Sequence, residues 1–479
     1  MTSKYEKVKN YLKRCEFSSS DFFLALGFIF MIPFAAFSWL FMVKSNPQEI
    51  FLTPRMMIVC FFMSAVCWGI YFYKEIKKGH IKNNFFTWAF ILFAILSVVS
   101  VVVQPENTTI DVLVRNVNDL SRQLYGDIAV GDTVTVNLNN PWVTKMFFAF
   151  GSLLITTLFY IIFMVFPKRF KNMDFFIVVG IIIFTFLFVL AIYSYFHEPQ
   201  VYKEFFRTWF DNDLTNDSTV GAKSFIVHNV PYGACMMMGL MFALVLHGYT
   251  HKWYWIIPMV FCSFNMVFSL CKTSLGLSAL VLFLYFIFRM IATFKKHKIR
   301  NLIIGPLVLL IVIAVIVLTI ISVVTDGDFL PFLDNIFSFF TNKKTIISRT
   351  YIWKNINELL KNGWWIIGRG FGTHNHMLYP MNLVNGDNVC PSHSTYYAVL
   401  GAGGVINLAG FLGLYAYFIF CFIKCLKFNR VKTIGLSVGF LGFFLYSFTE
   451  GVNYLIAFYC IPLIFYYNLL KNGYLRDQK

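Results

Sequence analysis

Between Asp326 and His393 the sequence gathers an arginine, a glycine-arginine-glycine turn and a histidine into the longest polar stretch of an otherwise apolar chain. Ser348-Arg349 opens a run in which Ile352, Trp353, Ile356, Leu359 and Leu360 recur at helical spacing, and Gly363 follows as a stop. Gly368-Arg369-Gly370 comes next, and Pro391-Ser392-His393 stands where the following apolar run begins. One loop thus delivers a guanidinium, which binds anions, and an imidazole, which titrates near neutral pH and suits a general base, to one face of a membrane.

Arg349 is the more unusual of the two. At about 100° per residue it falls between Trp353, Ile356 and Leu360, on the apolar face of its helix. It also sits in the first turn, where the helix dipole disfavours a cation. A charge set against both preferences points to an anion partner. The plain alternative is a side chain that snorkels off the helix end to water or lipid phosphate.

The elements that must position these residues are membrane spans. The 479 residues are 58 % hydrophobic and 13 % charged, with a mean hydropathy of +0.66, against roughly 25 % charged in soluble domains. Crossing a bilayer core takes about 20 helical residues. The apolar runs predict an all-α polytopic membrane protein of twelve spans, at about 21–43, 51–73, 85–103, 143–166, 173–197, 225–247, 253–270, 274–292, 302–324, 395–422, 433–449 and 452–469. The first run has no small-residue cleavage site after it and is expected to remain as a span.

A net charge of +17 would suggest nucleic acid in a soluble protein; here it orients the chain. Alternating the loops from a cytoplasmic N-terminus gathers most of the Lys and Arg on one side: Lys74–Lys82, Lys168–Lys171, Lys295–Arg300, Lys424–Lys432 and the tail from Lys471. Both termini are then cytoplasmic, and no nucleic-acid partner is required. The organisation follows as spans 1–9 over residues 1–324, a large extracytoplasmic loop over 325–394, and spans 10–12 with a short tail over 395–479. Two further exterior segments, about 104–142 and 197–223, exceed ordinary connectors, and the Val-rich alternation at Ile128–Val136 suggests a short hairpin. Only Cys390 of the ten cysteines falls in an exterior loop, so no disulfide framework is indicated.

His374-Asn375-His376 and Cys390-x-x-His393 raise the possibility of a zinc site in the same loop. The His-x-His spacing is unlike that of a structural finger, so the expectation is of no metal and no cofactor.

In order and spacing these features resemble the O-antigen ligase and Wzy-type polysaccharide polymerase superfamily. The resemblance rests on Arg349 with Trp353, Gly368-Arg369-Gly370-Phe371-Gly372, His393-Ser394 before the Gly401–Gly404 span, and the upstream stretch Ser269–Gly276. It covers roughly residues 225–422. It implies a GT-C-like fold in the bacterial cytoplasmic membrane and transfer of a glycan from undecaprenyl diphosphate to a sugar hydroxyl, without metal or nucleotide. His393 would be the catalytic base; its place at a helix start would keep it unprotonated. Arg349, Lys272 and Arg369 would bind the diphosphate, although Lys272 stands where arginine is usual and lacks the guanidinium fork. Gly368, Gly370, His228 and Asn229 are candidates to line the cavity.

The primary expectation is a polymerase that joins lipid-linked repeat units of O-antigen, capsule or exopolysaccharide. A ligase moving glycan onto lipid A core or another acceptor shares the donor and the motifs. Expected partners are the lipid-linked oligosaccharide, the glycan acceptor, the bilayer, and a chain-length regulator and flippase of the same pathway. A twelve-span secondary transporter stands last, because no two-half repeat and few ionisable residues deep in spans are evident.

Overall fold

The computed structural model describes residues 19–37, 54–79, 81, 85–161, 173–203, 221–222, 224, 229–250, 252–293, 343–370, 373–386 and 393–426, with 434, 438, 441–442 and 444–448. The expected spans at 302–324 and 452–469 lie outside these residues, as do His228, Phe371, Gly372 and Cys390. The described chain is mainly helical: α1 (Ser19–Phe37), α2 (Pro54–Lys77), α3 (Phe85–Val102), α4 (Asp119–Tyr125), α5 (Trp142–Tyr160), α6 (Met173–His197), α7 (Pro199–Lys203), α8 (Asn229–Thr250), α9 (Ile256–Phe268), α10 (Lys272–Thr293), α11 (Lys343–Leu359), α12 (Thr373–Val384) and α13 (Thr395–Leu426). Helices coincide with the first eight expected spans and the tenth. Gly180–His197, Lys272–Ala292 and Thr395–Gly413 are long and apolar enough to cross a membrane, and further apolar helices such as Thr87–Val102 and Tyr232–Gly248 are shorter. This is the composition of an integral membrane protein.

The all-α expectation needs one correction, between α3 and α5. β1 (Asn107–Leu113) and β2 (Thr133–Asn139) form an antiparallel two-stranded sheet with Ile110 opposite Val136 and Val112 opposite Val134. Strict alternation explains it: Val112, Val136 and Leu138 are buried, while Thr and Asn alternate on the other face. The alternation expected at 128–136 therefore belongs to β2, a few residues further on, and its partner lies upstream of α4. A capping box between Asn118 and Ser121 starts α4 and turns the chain between the strands.

The chain divides into two compact units. The first contains α1 to α5, the sheet, α12 and most of α11 and α13. In it α1 lies on α2 so closely that a Cβ at Gly27 would come within 2.3 Å of the Trp68 indole, and Ser64 donates to Gly27 O at 2.7 Å. The sheet shares one apolar core with α11 and α12, built from Val112, Val114, Val136, Leu138, Ile352, Ile356, Met377 and Met381 among others. The sheet, α11 and α12 are thus one folded body. The second unit contains most of α6, with α8, α9 and α10; Tyr232 of α8 donates to Asn265 Oδ1 of α9 at 3.1 Å.

Candidate active site

The amphipathic face read from the sequence is the buried one. Ile352, Ile356, Leu359 and Leu360 are buried, Trp353 and Arg349 partly so. Asn362 and Gly363 follow with φ of 59° and 88°, a left-handed stop. Asn355 supplies a polar tie within this face. It accepts from Arg115 Nη1 at 2.9 Å and donates to Asn382 Oδ1 at 3.0 Å, so the end of β1, α11 and α12 meet on one side chain.

α13 begins beside the same face. The Trp353 and Tyr397 rings stack with centroids 5.1 Å apart and planes within 3°. Further along both helices, Arg369 Nε donates to Leu359 O at 2.7 Å, and the Arg369 N–H donates to Gly401 O at 2.8 Å. These two links fix the direction in which α11 and α13 run together. Arg349 precedes Trp353 by one helical turn, and His393 stands at the same offset before Tyr397. Both candidates therefore start from the same end of the packed pair. His393 is partly exposed and has φ of 47°, a left-handed backbone that costs an L-residue roughly 1–2 kcal/mol.

The two glycine motifs answer each other. α13 departs from helical geometry at Gly404, with φ of 63° and ψ of −164°. In a continuous helix Val405 and Ile406 would donate to Gly401 and Ala402. Instead Gly401 O and Ala402 O accept from Arg369 N and Gly370 N, each at 2.8 Å, while Val405 N and Ile406 N donate to Trp365 O and Ile366 O at 2.8 and 3.5 Å. A Cβ on Gly368 would fall 2.5 Å from Gly403 N, and one on Gly404 would fall 2.2 Å from Ile366 O. These glycines admit the protein's own backbone, where the sequence had suggested approach to a ligand.

Arg369 is committed in part to the fold. It is 5 % exposed, donates from Nη1 to Gln104 Oε1 at 3.0 Å and lies 4.3 Å from the centre of the Trp364 ring. Burial pushes its pKa down to about 10, which leaves it charged at neutral pH. His374 and His376 diverge. His374 is buried, its Nδ1 3.2 Å from Gly370 O, and desolvation pulls its pKa down to about 4. His376 is exposed, with Nε2 3.1 Å from Asn139 O. Among the described residues no group of three His, Cys, Asp or Glu is placed to hold a metal ion.

Lys272 and Asn229 belong to the second unit. Lys272 begins α10 after the tight turn Ser269–Cys271, in which Leu270 has φ of 51°. Asn229 Nδ2 donates to Ser269 O at 3.1 Å, so this residue holds the turn from which Lys272 projects. Residues 257–412 match the family model described as O-antigen ligase, the Wzy_C domain. Over these residues the chain is similar to the O-antigen ligase and Wzy superfamily. The comparisons with curated proteins and with solved structures found no match.

The Wzy_C match contains Lys272, Arg349, Arg369 and His393 together with both glycine motifs. Members of this family are ligase- or polymerase-type glycosyltransferases working on a lipid-linked glycan donor and a glycan acceptor in a membrane. The match leaves out the sheet, Gln104 and α5, the part of the site that sequence reading missed. Its signal was weak: polar strands some 240 residues from the motifs they support, with only their alternation to mark them.

Proposed function

We propose that this chain is a polysaccharide polymerase that joins undecaprenyl-diphosphate-linked repeat units at the outer face of the bacterial cytoplasmic membrane. The observation that carries the reading is the Trp353–Tyr397 stack between α11 and α13 inside the Wzy_C match, which supports Arg349 and His393 working from the same end of that pair. His393 takes the proton of the acceptor hydroxyl as that oxygen attacks the sugar carbon bound to the diphosphate. The bond from that carbon to the diphosphate breaks, and the diphosphate leaves with its charge held by Arg349. Arg369 sets the seat of the loop on α13 and adds to the positive field. The charge asymmetry of the loops supports an exterior position for this one, on the side where the donor's glycan lies.

The family's description as O-antigen ligase supports a second reading, in which the acceptor is lipid A core or another final carrier. Glycan length resolved on a gel, in a deletion strain complemented with His393→Ala or Arg349→Ala, tests both. Loss of the chain-length ladder supports the polymerase. Full-length lipid-linked polymer that never reaches its carrier supports the ligase. Normal surface polymer with either variant, expressed at the wild-type level, overturns the mechanism.

A further inference from the structure

The region where α3 ends and α5 begins, against the sheet and α12, holds more polar groups than the described residues satisfy. Lys145, in the first turn of α5, is 5 % exposed and donates from Nζ to the backbone oxygen of Gln104. Arg369, equally buried, donates to the side-chain oxygen of the same residue. Two cations thus bear on one neutral residue. The ion pairs among the described residues are Lys78 with Glu75 and Lys361 with Glu358, so neither Lys145 nor Arg369 has a carboxylate there. A lysine carries three donors and an arginine five, more than these contacts consume.

Neutral groups beside them are also left over. Asn140 is 1 % exposed, and both its Nδ2 and Oδ1 are buried without a hydrogen bond among the described residues. The same holds for Thr373 Oγ1 and His374 Nε2. The neighbourhood is one. Asn140 N donates to Glu106 O at 2.6 Å, beside Gln104. Asn139 O meets His376 at the first turn of α12, and Gly370, whose carbonyl meets His374, lies against Val101 near the end of α3. All of these residues fall in the first unit.

Capping explains part of this, since Lys145 and Arg369 each meet a carbonyl at a helix C-terminus, where a cation is favoured. It leaves the excess positive charge and the orphaned amide unexplained. Buried charges are ordinarily paired, and clustered buried polar atoms call for a partner, either a bound group or ordered water. We propose that this junction binds a phosphate ester, its anionic oxygens on Lys145 and Arg369 and an adjoining hydroxyl on Asn140 and His374. His374 Nδ1 donates to Gly370 O, so Nε2 is the acceptor a hydroxyl would meet. The step from this site to the donor rests on the proposed function, in which a lipid-linked sugar diphosphate supplies both chemistries. A phosphatidylglycerol headgroup carries the same groups.

The test uses the purified full chain in detergent, titrated with inorganic pyrophosphate and with glucose 1-phosphate while the unfolding midpoint is followed. The wild type gains stability with ligand concentration. Lys145→Gln weakens the apparent affinity at least tenfold, and Lys145→Arg retains it. Asn140→Ala removes an amide the fold does not use, so it stays folded and loses affinity for glucose 1-phosphate more than for pyrophosphate. If Lys145→Gln does not fold, Asn140→Ala carries the test alone. Nanodiscs of phosphatidylglycerol compared with phosphatidylcholine separate the sources. Stabilisation by the anionic lipid but not by pyrophosphate supports the site and assigns it to the bilayer. No stabilisation by any probe, or equal binding by all variants, overturns the site and leaves ordered water there. Failure of the proposed function reads out elsewhere, as polymer made by His393→Ala, and does not alter these titrations.

Discussion

Gly368→Ala measures how much the site depends on seating the 365–370 turn in α13. Two costs can be worked from the geometry. Gly368 has φ of 69°, a conformation that costs an L-residue about 1–2 kcal/mol. The new methyl would also lie 2.5 Å from Gly403 N and 2.6 Å from Ala402 C and Gly404 N. All three contacts are backbone, so no side chain can rotate away and the turn must withdraw. Withdrawal loses the bonds from Arg369 N to Gly401 O, from Gly370 N to Ala402 O and from Val405 N to Trp365 O. At about 0.5–1.5 kcal/mol net for each bond, the whole change comes to roughly 3–6 kcal/mol. Gly363→Ala supplies the control, because its φ is 88° but nothing lies within 4 Å of an added Cβ. It should incur only the conformational cost. Unfolding midpoints in detergent, with glycan chain length in a complemented deletion strain, make the comparison. Gly368→Ala should lower the midpoint at least twice as far and abolish polymer, while Gly363→Ala retains polymer. Equal midpoint losses, or a full ladder from Gly368→Ala, would refute the reasoning.

Two further outcomes follow from the same geometry. Trp353→Leu and Tyr397→Leu should each remove an aromatic pair worth about 0.5–1.5 kcal/mol beyond its area. The fall in transfer rate should exceed what that loss of stability explains, and a double-mutant cycle should show coupling; additive effects would mean that the stack does not align Arg349 with His393. His374 gives a pH signature: its folded pKa of about 4 lies below the ordinary 6.5, so between those values the unfolded chain takes up a proton that the folded chain refuses. Its stability contribution is full above pH 6.5 and lost as pH falls towards 4, by up to about 3 kcal/mol. Unfolding midpoints across that range should slope in the wild type and flatten in His374→Asn, and parallel slopes would assign the acid sensitivity elsewhere.

Apolar runs marked the described helices, and periodicity marked the face of α11, because both depend on local spacing: Ile352, Ile356 and Leu360 are buried as the wheel requires. The association of β1 and β2 with α11 and α12 was not legible. Arg115 and Asn355 are joined across 240 residues of chain, and nothing local in either stretch names its partner. Gly368 and Gly370 stood out as glycines, but a glycine states only that something comes close. Whether that is a ligand or the protein's own helix depends on Gly401–Gly404, which reads in sequence as an ordinary small-residue patch. Arg369 likewise reads as a free cation until Leu359 O and Gln104 are seen beneath it.

The exchange between the turn and α13 also bears on how a polar loop can be joined to a helix that enters a bilayer. A break in such a helix ordinarily leaves bare donors and acceptors in a medium that cannot solvate them. Here Val405, Ile406, Gly401 and Ala402 have complete pairing in either of two arrangements, with one another or with the turn. The helix is therefore broken at Gly404 without leaving those donors and acceptors bare to hydrocarbon.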